Sequence, residues 1–280
     1  MKYLVALLIL APLTSQPPAT PPRLIIRGDD MGFSHSGNLA FRQCYTEGIV
    51  TSVEVIVPSP WFPEAARMLH EHPAIDVGIH LALTSEWDNV KWRPIAHVPS
   101  LVDADGYFFP MVFPNRNYPR RAIKDNAWKL EDVEKEFRAQ IELGKKRLPR
   151  LTHLSAHMGC NQLNTDVRDL YYKLAKEYGL DIHPDKQGVK NVGFLGKHVT
   201  AAEKLESFLK MLDTLETGKT YLFVEHPGLD TPELRAIHHI GYENVAADRQ
   251  GVTDLFLDGR VKDAIRKKGI QLISYGELKK

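Results

Sequence analysis

Two adjacent carboxylates, Asp29 and Asp30, close the apolar run Leu24-Ile25-Ile26 through Arg27 and Gly28, and Gly32 follows them. In α/β proteins, ligands collect beyond the carboxyl ends of strands. Neighbouring carboxylates repel unless a cation holds one of them. The pair is therefore a candidate metal site, with one carboxylate bound and the other free to act as a base. The competing reading is a solvated turn or helix cap. Three further apolar runs weigh against it, because each carries a histidine at or near its end. They run from Ile75 through His80, from Leu151 through His153 and His157, and from Thr220 to His226-Pro227-Gly228. On a strand, His153, Ser155 and His157 share a face.

Imidazole nitrogen and carboxylate oxygen suit zinc and other divalent ions, and a carboxylate with water also tolerates harder ions. One Asp and two His leave coordination positions open, which is the catalytic rather than the structural arrangement. An open ion acidifies water and polarises a carbonyl oxygen. A spare carboxylate then accepts the proton and a histidine protonates the leaving group. Together these parts describe a hydrolase acting on an acyl bond.

At this point the residues resemble a known family. Arg27-Gly28-Asp29-Asp30-Met31-Gly32, Glu47-Gly48-Ile49-Val50-Thr51-Ser52 and Gly78-Ile79-His80-Leu81-Ala82-Leu83-Thr84 look like motifs of the YdjC-type carbohydrate deacetylases. So do Thr152-His153-Leu154-Ser155-Ala156-His157, His226-Pro227-Gly228 and the closing Lys268-Gly269-Ile270-Gln271-Leu272-Ile273-Ser274-Tyr275, all in the family's order. The resemblance runs from about Leu24 to the C-terminus. It implies a single-domain, distorted (β/α) barrel of largely parallel strands that removes N-acetyl groups from amino sugars or oligosaccharides. It also implies one divalent ion, zinc or magnesium ahead of manganese, cobalt or nickel. By resemblance, Asp30, His80 and His157 match the metal ligands, Asp29 the catalytic base and His226 the acid. The chain departs from the family at Ser155, where an acidic residue is usual, and at Gly159, where a histidine is usual. Both flank His157, and groups behind a ligand tune metal affinity. Two rival functions fit the same residues. One is a non-haem iron oxygenase, which also uses two His and a carboxylate. Those enzymes generally carry the ligands on antiparallel jelly-roll strands, whereas strands and helices alternate here. The other is an exported sugar-binding protein that has lost activity.

The elements that must position these residues follow from periodicity. Strands are predicted near 24–28, 52–58, 75–83, 151–156, 180–183, 220–225 and 270–273. Helices are predicted near 36–47, 62–71, 130–146, 165–178, 201–216 and 260–268. This alternation predicts an α/β fold with a largely parallel sheet. The helix near 130–146 places Leu130, Val133, Phe137 and Ile141 on one face and Glu131, Glu134 and Lys135 on the other. The segment 85–118 breaks the rhythm, with Trp87, Trp92, Tyr107, Phe108, Phe109, Phe113, Tyr118 and several prolines. It reads either as a lid whose aromatics stack on sugar rings or as a small core over the barrel mouth. Among the other histidines, His35 lies near the Asp pair, and His153 reads as a residue behind the ligands or as barrel filling. His70, His72 and His97 read as surface, and His238 and His239 as surface or homodimer contacts.

The chain has 280 residues, with 36 basic and 35 acidic side chains and a net charge of +1. No basic block offers the electrostatic footprint of a nucleic-acid binder. Met1-Lys2 precedes an apolar run over 3–13 of signal-peptide length, and a Pro-rich linker follows up to 22. The run is shorter than the roughly 20 residues a membrane span needs. Residues 1–22 are therefore expected to be a signal peptide and linker ahead of one domain over 23–280. The mature protein is expected to be periplasmic or secreted, with no membrane span. In an exported protein Cys44 and Cys160 could pair, but both are expected as buried free thiols, with a fourth metal ligand a further alternative for Cys160.

Overall fold

The computed structural model describes residues 20–148 and 150–278, so the leader expected at the N-terminus lies almost entirely outside the described residues. Strands β1 (Arg23–Met31), β2 (Ser52–Val55), β3 (Asp76–Leu81), β4 (His153–Ala156), β5 (Lys190–Val192), β6 (Thr220–Glu225) and β7 (Gln271–Leu272) form one parallel sheet. Its order is β4-β3-β2-β1-β6-β5, and β7 lies beside the first residues of β1. Helices α1 (His35–Thr46), α2 (Phe62–Glu71), α3 (Leu130–Arg147), α4 (Thr165–Glu177), α5 (Ala201–Leu212), α6 (Pro232–Arg235), α7 (Val245–Leu257) and α8 (Gly259–Lys267) alternate with the strands. The sheet curls, giving the distorted (β/α) barrel in a single domain. Among the described residues, no helix is long and apolar enough to cross a membrane.

The two faces of the sheet differ in chemistry. Leu24, Ile26, Val53, Val55, Val77, Ile79 and Phe223 belong to the main core under the helices. Side chains alternate along a strand, so Arg27, Asp29, Glu54, His80, His153 and Ser155 belong to the inner face. Ile25, Ile182, Leu222, Ile273 and Tyr275 pack into a separate small cluster. Burial on both faces explains why these strands read as near-continuous apolar runs. The charged residues inside those runs mark the inner face.

Several elements differ from expectation. In place of a strand near 180–183 there is one antiparallel bridge from Asp181 to His153, followed by the short helix Pro184–Gln187. Pro184 has no N–H to give to a ladder, and β5 forms later, beside β6. Helices α6 and α7 were not predicted. The first is one turn, and the second buries Arg249, Gly251 and Thr253 beside its apolar residues, which blurs its pattern. In α3, Val133, Phe137 and Ile141 are buried as expected, Leu130 is exposed, and the polar Glu136 and Gln140 are buried.

The segment over 85–118 is a small core rather than a sugar platform at its tryptophans. Trp87, Trp92, Leu101 and Phe108 join the main core, while Met111, Tyr118 and Ala122 form a satellite. Trp92 is 3% exposed, which leaves no face for a sugar. Glu136 of α3 accepts hydrogen bonds from the backbone N–H groups of Ile95 (3.1 Å) and Ala96 (2.8 Å). Gln140 joins Glu136 to both backbone groups of Ala82, just beyond β3. The segment is thereby tied to the strand that carries His80.

Candidate metal centre

Strand alternation alone would send Asp29 and Asp30 to opposite faces of β1. The backbone prevents this. The pairing of β1 with β2 shifts register between Gly28 and Met31, and Asp30 has φ +77°. A bulge re-aims a side chain, and a non-glycine residue in the left-handed region stores about 1–3 kcal/mol of strain. Both carboxylates therefore reach the same end of the barrel. His80 arrives from β3 and His157 from the turn just after β4. There Met158 and Gly159 also adopt left-handed φ of 49° and 68°, the conformation glycine favours.

Asp30 Oδ1 lies 3.1 Å from His157 Nδ1 and 3.6 Å from His80 Nε2. One donor atom from each of Asp30, His80 and His157 lies within 4.8 Å of the others. All three side chains are buried. Asp30 Oδ1 accepts no hydrogen bond, although it is buried next to two ring nitrogens. Three donors face a common point without satisfying one another, which is the arrangement a divalent cation fits.

Each of the three is held from behind. His80 Nδ1 donates to Ser155 Oγ at 2.6 Å, and Ser155 Oγ donates to Glu54 Oε2. His157 Nε2 donates to Glu86 Oε2 at 3.0 Å. Arg249 Nη2 donates to Asp30 Oδ2 at 3.0 Å, and its guanidinium stacks over Phe33 and Trp87. Such partners orient metal-ligating histidines and fix which ring nitrogen is free. Asp29 is clasped by Arg27, which donates from Nε at 2.7 Å and from Nη2 at 2.8 Å, with Nη1 donating to the Tyr275 hydroxyl. Asp29 Oδ2 stands 3.7 Å from His80 Nε2, beside the ligand set. His226 follows β6 with Nε2 3.8 Å from Asp30 Oδ2, and its side chain is 40% exposed at the mouth.

The electrostatics follow from these contacts. Burial alone would raise the Asp30 carboxyl, but His157, His226 and Arg249 outweigh it and hold it well below the usual range. Burial pulls His80 down, which favours the neutral ring a metal ligand must be. Burial opposes protonation of His157 too, but Glu86 and Asp30 on either side push it up. A cation between Asp30 and the two rings would occupy the place of that proton. His226 is also raised, because Asp30 and Glu225 outweigh burial.

Among the residues flagged by sequence, His153 is buried behind the cluster on Glu54, stacked on Tyr275. His35 bonds Glu64 instead of approaching the carboxylates. His239 packs against Trp87. Cys44 and Cys160 are both free and buried, and Cys160 Sγ donates to the Leu81 carbonyl rather than joining the cluster. Sequence reasoning missed Arg27, Glu54, Glu86 and Arg249. Glu54 did leave a signal, a lone charge inside Ser52-Val53-Glu54-Val55, and Arg27 shares the strand face of Asp29. Arg249 left none, since its helix was not foreseen.

The fold and site define a parallel α/β barrel with a two-His, one-Asp cluster and a spare carboxylate at the carboxyl ends of its strands. Residues 23–267 match the model of the YdjC-like protein family, and the chain belongs to that family. A carbohydrate deacetylase of Geobacillus stearothermophilus is 28% identical over 272 residues, covering 93% of this chain and 99% of the relative. One of Thermus thermophilus is 33% identical over 235 residues, covering 76% and 80%. The crystal structure of a putative cellobiose-phosphate cleavage protein from Enterococcus faecalis superimposes with a TM-score of 0.73 at 24% identity, over 93% of this chain and 99% of that one.

Proposed function

We propose that this protein is a metal-dependent hydrolase that removes N-acetyl groups from amino sugars or their oligosaccharides. The observation that carries this reading is the convergence of Asp30, His80 and His157 on one point, with the carboxylate of Asp29 left over beside it. A divalent ion held by those three residues supplies Lewis acidity, acidifying water and polarising a carbonyl oxygen. Asp29 takes the proton of the attacking water. The two-pronged clasp of Arg27 aims its oxygens and keeps it from turning toward the ligand set. His226, open to the mouth and 3.8 Å from Asp30, gives a proton to the departing amine. Arg249 balances the charge of Asp30 from behind. The relatives named carbohydrate deacetylases support the substrate class. The parallel strands that carry the cluster speak against the jelly-roll oxygenase reading, and the retained Asp29 and His226 speak against an inactive binding protein.

The test is acetate release from N-acetylated chito-oligosaccharides by untreated, chelator-treated and metal-restored protein. Activity should disappear with the chelator and return with zinc or magnesium. A folded, metal-loaded protein that releases no acetate from any acetylated amino sugar would sink the assignment. Elemental analysis of protein purified without added metal identifies the ion, and His80→Ala and His157→Ala should each lower its content. We also propose export, with the segment up to about residue 20 removed and the enzyme working on glycans in the periplasm or outside the cell. N-terminal sequencing checks it, and Met1 retained in soluble cytoplasmic protein would refute it.

A further inference from the structure

Glu54 of β2, Gly78 of β3 and His153 of β4 stand in register across three strands, and His80 pairs with Ser155 one step further on. Adjacent strands lie about 4.8 Å apart, so two spacings separate Glu54 from β4. A side chain on β3 would fill that gap. At Gly78 there is none, and a Cβ there would stand 2.5 Å from His153 Nε2 and 2.7 Å from Glu54 Oε1. Through this gap Glu54 reaches β4. It is wholly buried, and each of its oxygens is engaged, Oε1 by His153 Nε2 and Oε2 by the Ser155 hydroxyl.

The direction of the hydrogen bonds follows from the inventory of donors. A carboxylate only accepts, so the single hydroxyl proton of Ser155 goes to Glu54. Ser155 Oγ then has only lone pairs to offer His80 Nδ1, 2.6 Å away, and the ring must carry its proton there. That leaves Nε2 of His80, the atom turned to Asp30 Oδ1, with a free lone pair. Without the carboxylate, the Ser155 hydroxyl is free to turn and donate to Nδ1. The ring proton would then move to Nε2 and block the atom that faces the cluster.

We propose that Glu54 is a positioning residue for the metal centre, acting through Ser155 to hold His80 in the tautomer whose Nε2 is free to bind a cation. The inference rests on the metal reading of Asp30, His80 and His157. Glu54 does for His80 through a hydroxyl what Glu86 does directly for His157. The carboxylate behind His80 thus comes from β2, and Ser155 of β4 is the link.

Two readouts test it. The first is zinc affinity, by titrating metal-stripped protein against a chromophoric chelator. Ser155→Ala and Glu54→Ala should each weaken zinc binding by about 10- to 100-fold, with circular dichroism as the check on folding. The second is the ¹⁵N shifts of the histidine rings in metal-free protein. His80 should carry its proton on Nδ1 in the wild type and lose that preference in both variants. Moving the carboxylate with Glu54→Ser plus Ser155→Asp should restore zinc affinity to within a few-fold of wild type, whereas Glu54→Ser alone should not. Wild-type zinc affinity with an unchanged His80 tautomer in folded Ser155→Ala or Glu54→Ala overturns the proposal, and so does a double variant no better than Glu54→Ser. A wild type that binds none of zinc, magnesium, manganese, cobalt or nickel refutes the metal reading, and the proposal with it. A metal-binding protein that releases no acetate refutes only the proposed reaction and leaves the relay standing on these two readouts.

Discussion

Gly78→Ala is a small perturbation with a large expected effect. The new methyl would stand 2.5 Å from His153 Nε2 and 2.7 Å from Glu54 Oε1, and closer still to Oε2, where ordinary contact begins near 3.4 Å. Both partners are wholly buried, so neither has solvent to move into. They must part by roughly an ångström, or β3 must shift. Overpacking of this kind costs about 1–3 kcal/mol. Weakening a buried hydrogen bond to a charged group costs about 1.5–3 kcal/mol more. The expected loss is therefore about 2.5–6 kcal/mol, a large part of the roughly 5–15 kcal/mol that stabilises a domain. Urea unfolding in the presence of a chelator measures it without a contribution from metal binding. Gly193→Ala is the control, because its Cβ would meet nothing within 4 Å, and it should change stability by less than about 1 kcal/mol. The loss should also shrink in a Glu54→Ser background, where the methyl has room. A loss below about 1 kcal/mol with an unchanged denaturant slope would refute the account of a side-chain pair threaded through the glycine gap.

Burial without a cation raises Glu136 from 4.5 to about 7. Its contribution to stability is therefore fully present below pH 4.5 and is lost as pH rises through 7, by up to about 3 kcal/mol. Glu136→Gln should flatten the fall in urea midpoint between pH 5 and 7.5, and parallel profiles for the two proteins would count against it. Trp92→Ala should cost about 3–5 kcal/mol of stability and leave the Michaelis constant for oligosaccharide unchanged. Trp92→Phe should cost far less, since the buried indole N–H has no acceptor to lose. A raised Michaelis constant in stable Trp92→Phe would return that residue to the substrate site. Asp29→Asn and His226→Ala should each lower turnover about 100- to 10,000-fold while keeping fold and metal content. Near-normal turnover in either folded variant would remove that residue from the mechanism.

The sequence alone determined which strand ends hold the candidate site residues. The apolar runs into Asp29-Asp30, His80, His157 and His226 were readable because strand burial leaves a local, periodic trace and a polar residue interrupts it visibly. The parallel alternation of strand and helix was readable for the same reason. Tertiary structure decided how those residues are used. Strand periodicity places Asp29 and Asp30 on opposite faces, and only the register shift and the left-handed backbone at Asp30 bring both to one site. The aromatics over 85–118 read equally as platform or core, because composition does not say which way a side chain points. The partners behind the cluster come from distant places in the chain: Glu54 across β3, Glu86 from the segment after that strand, and Arg249 from a helix 219 residues beyond Asp30. Such pairs depend on the registers of separate strands and on a gap left by one glycine. Those are relations between elements, and a pattern read along one element carries no record of them.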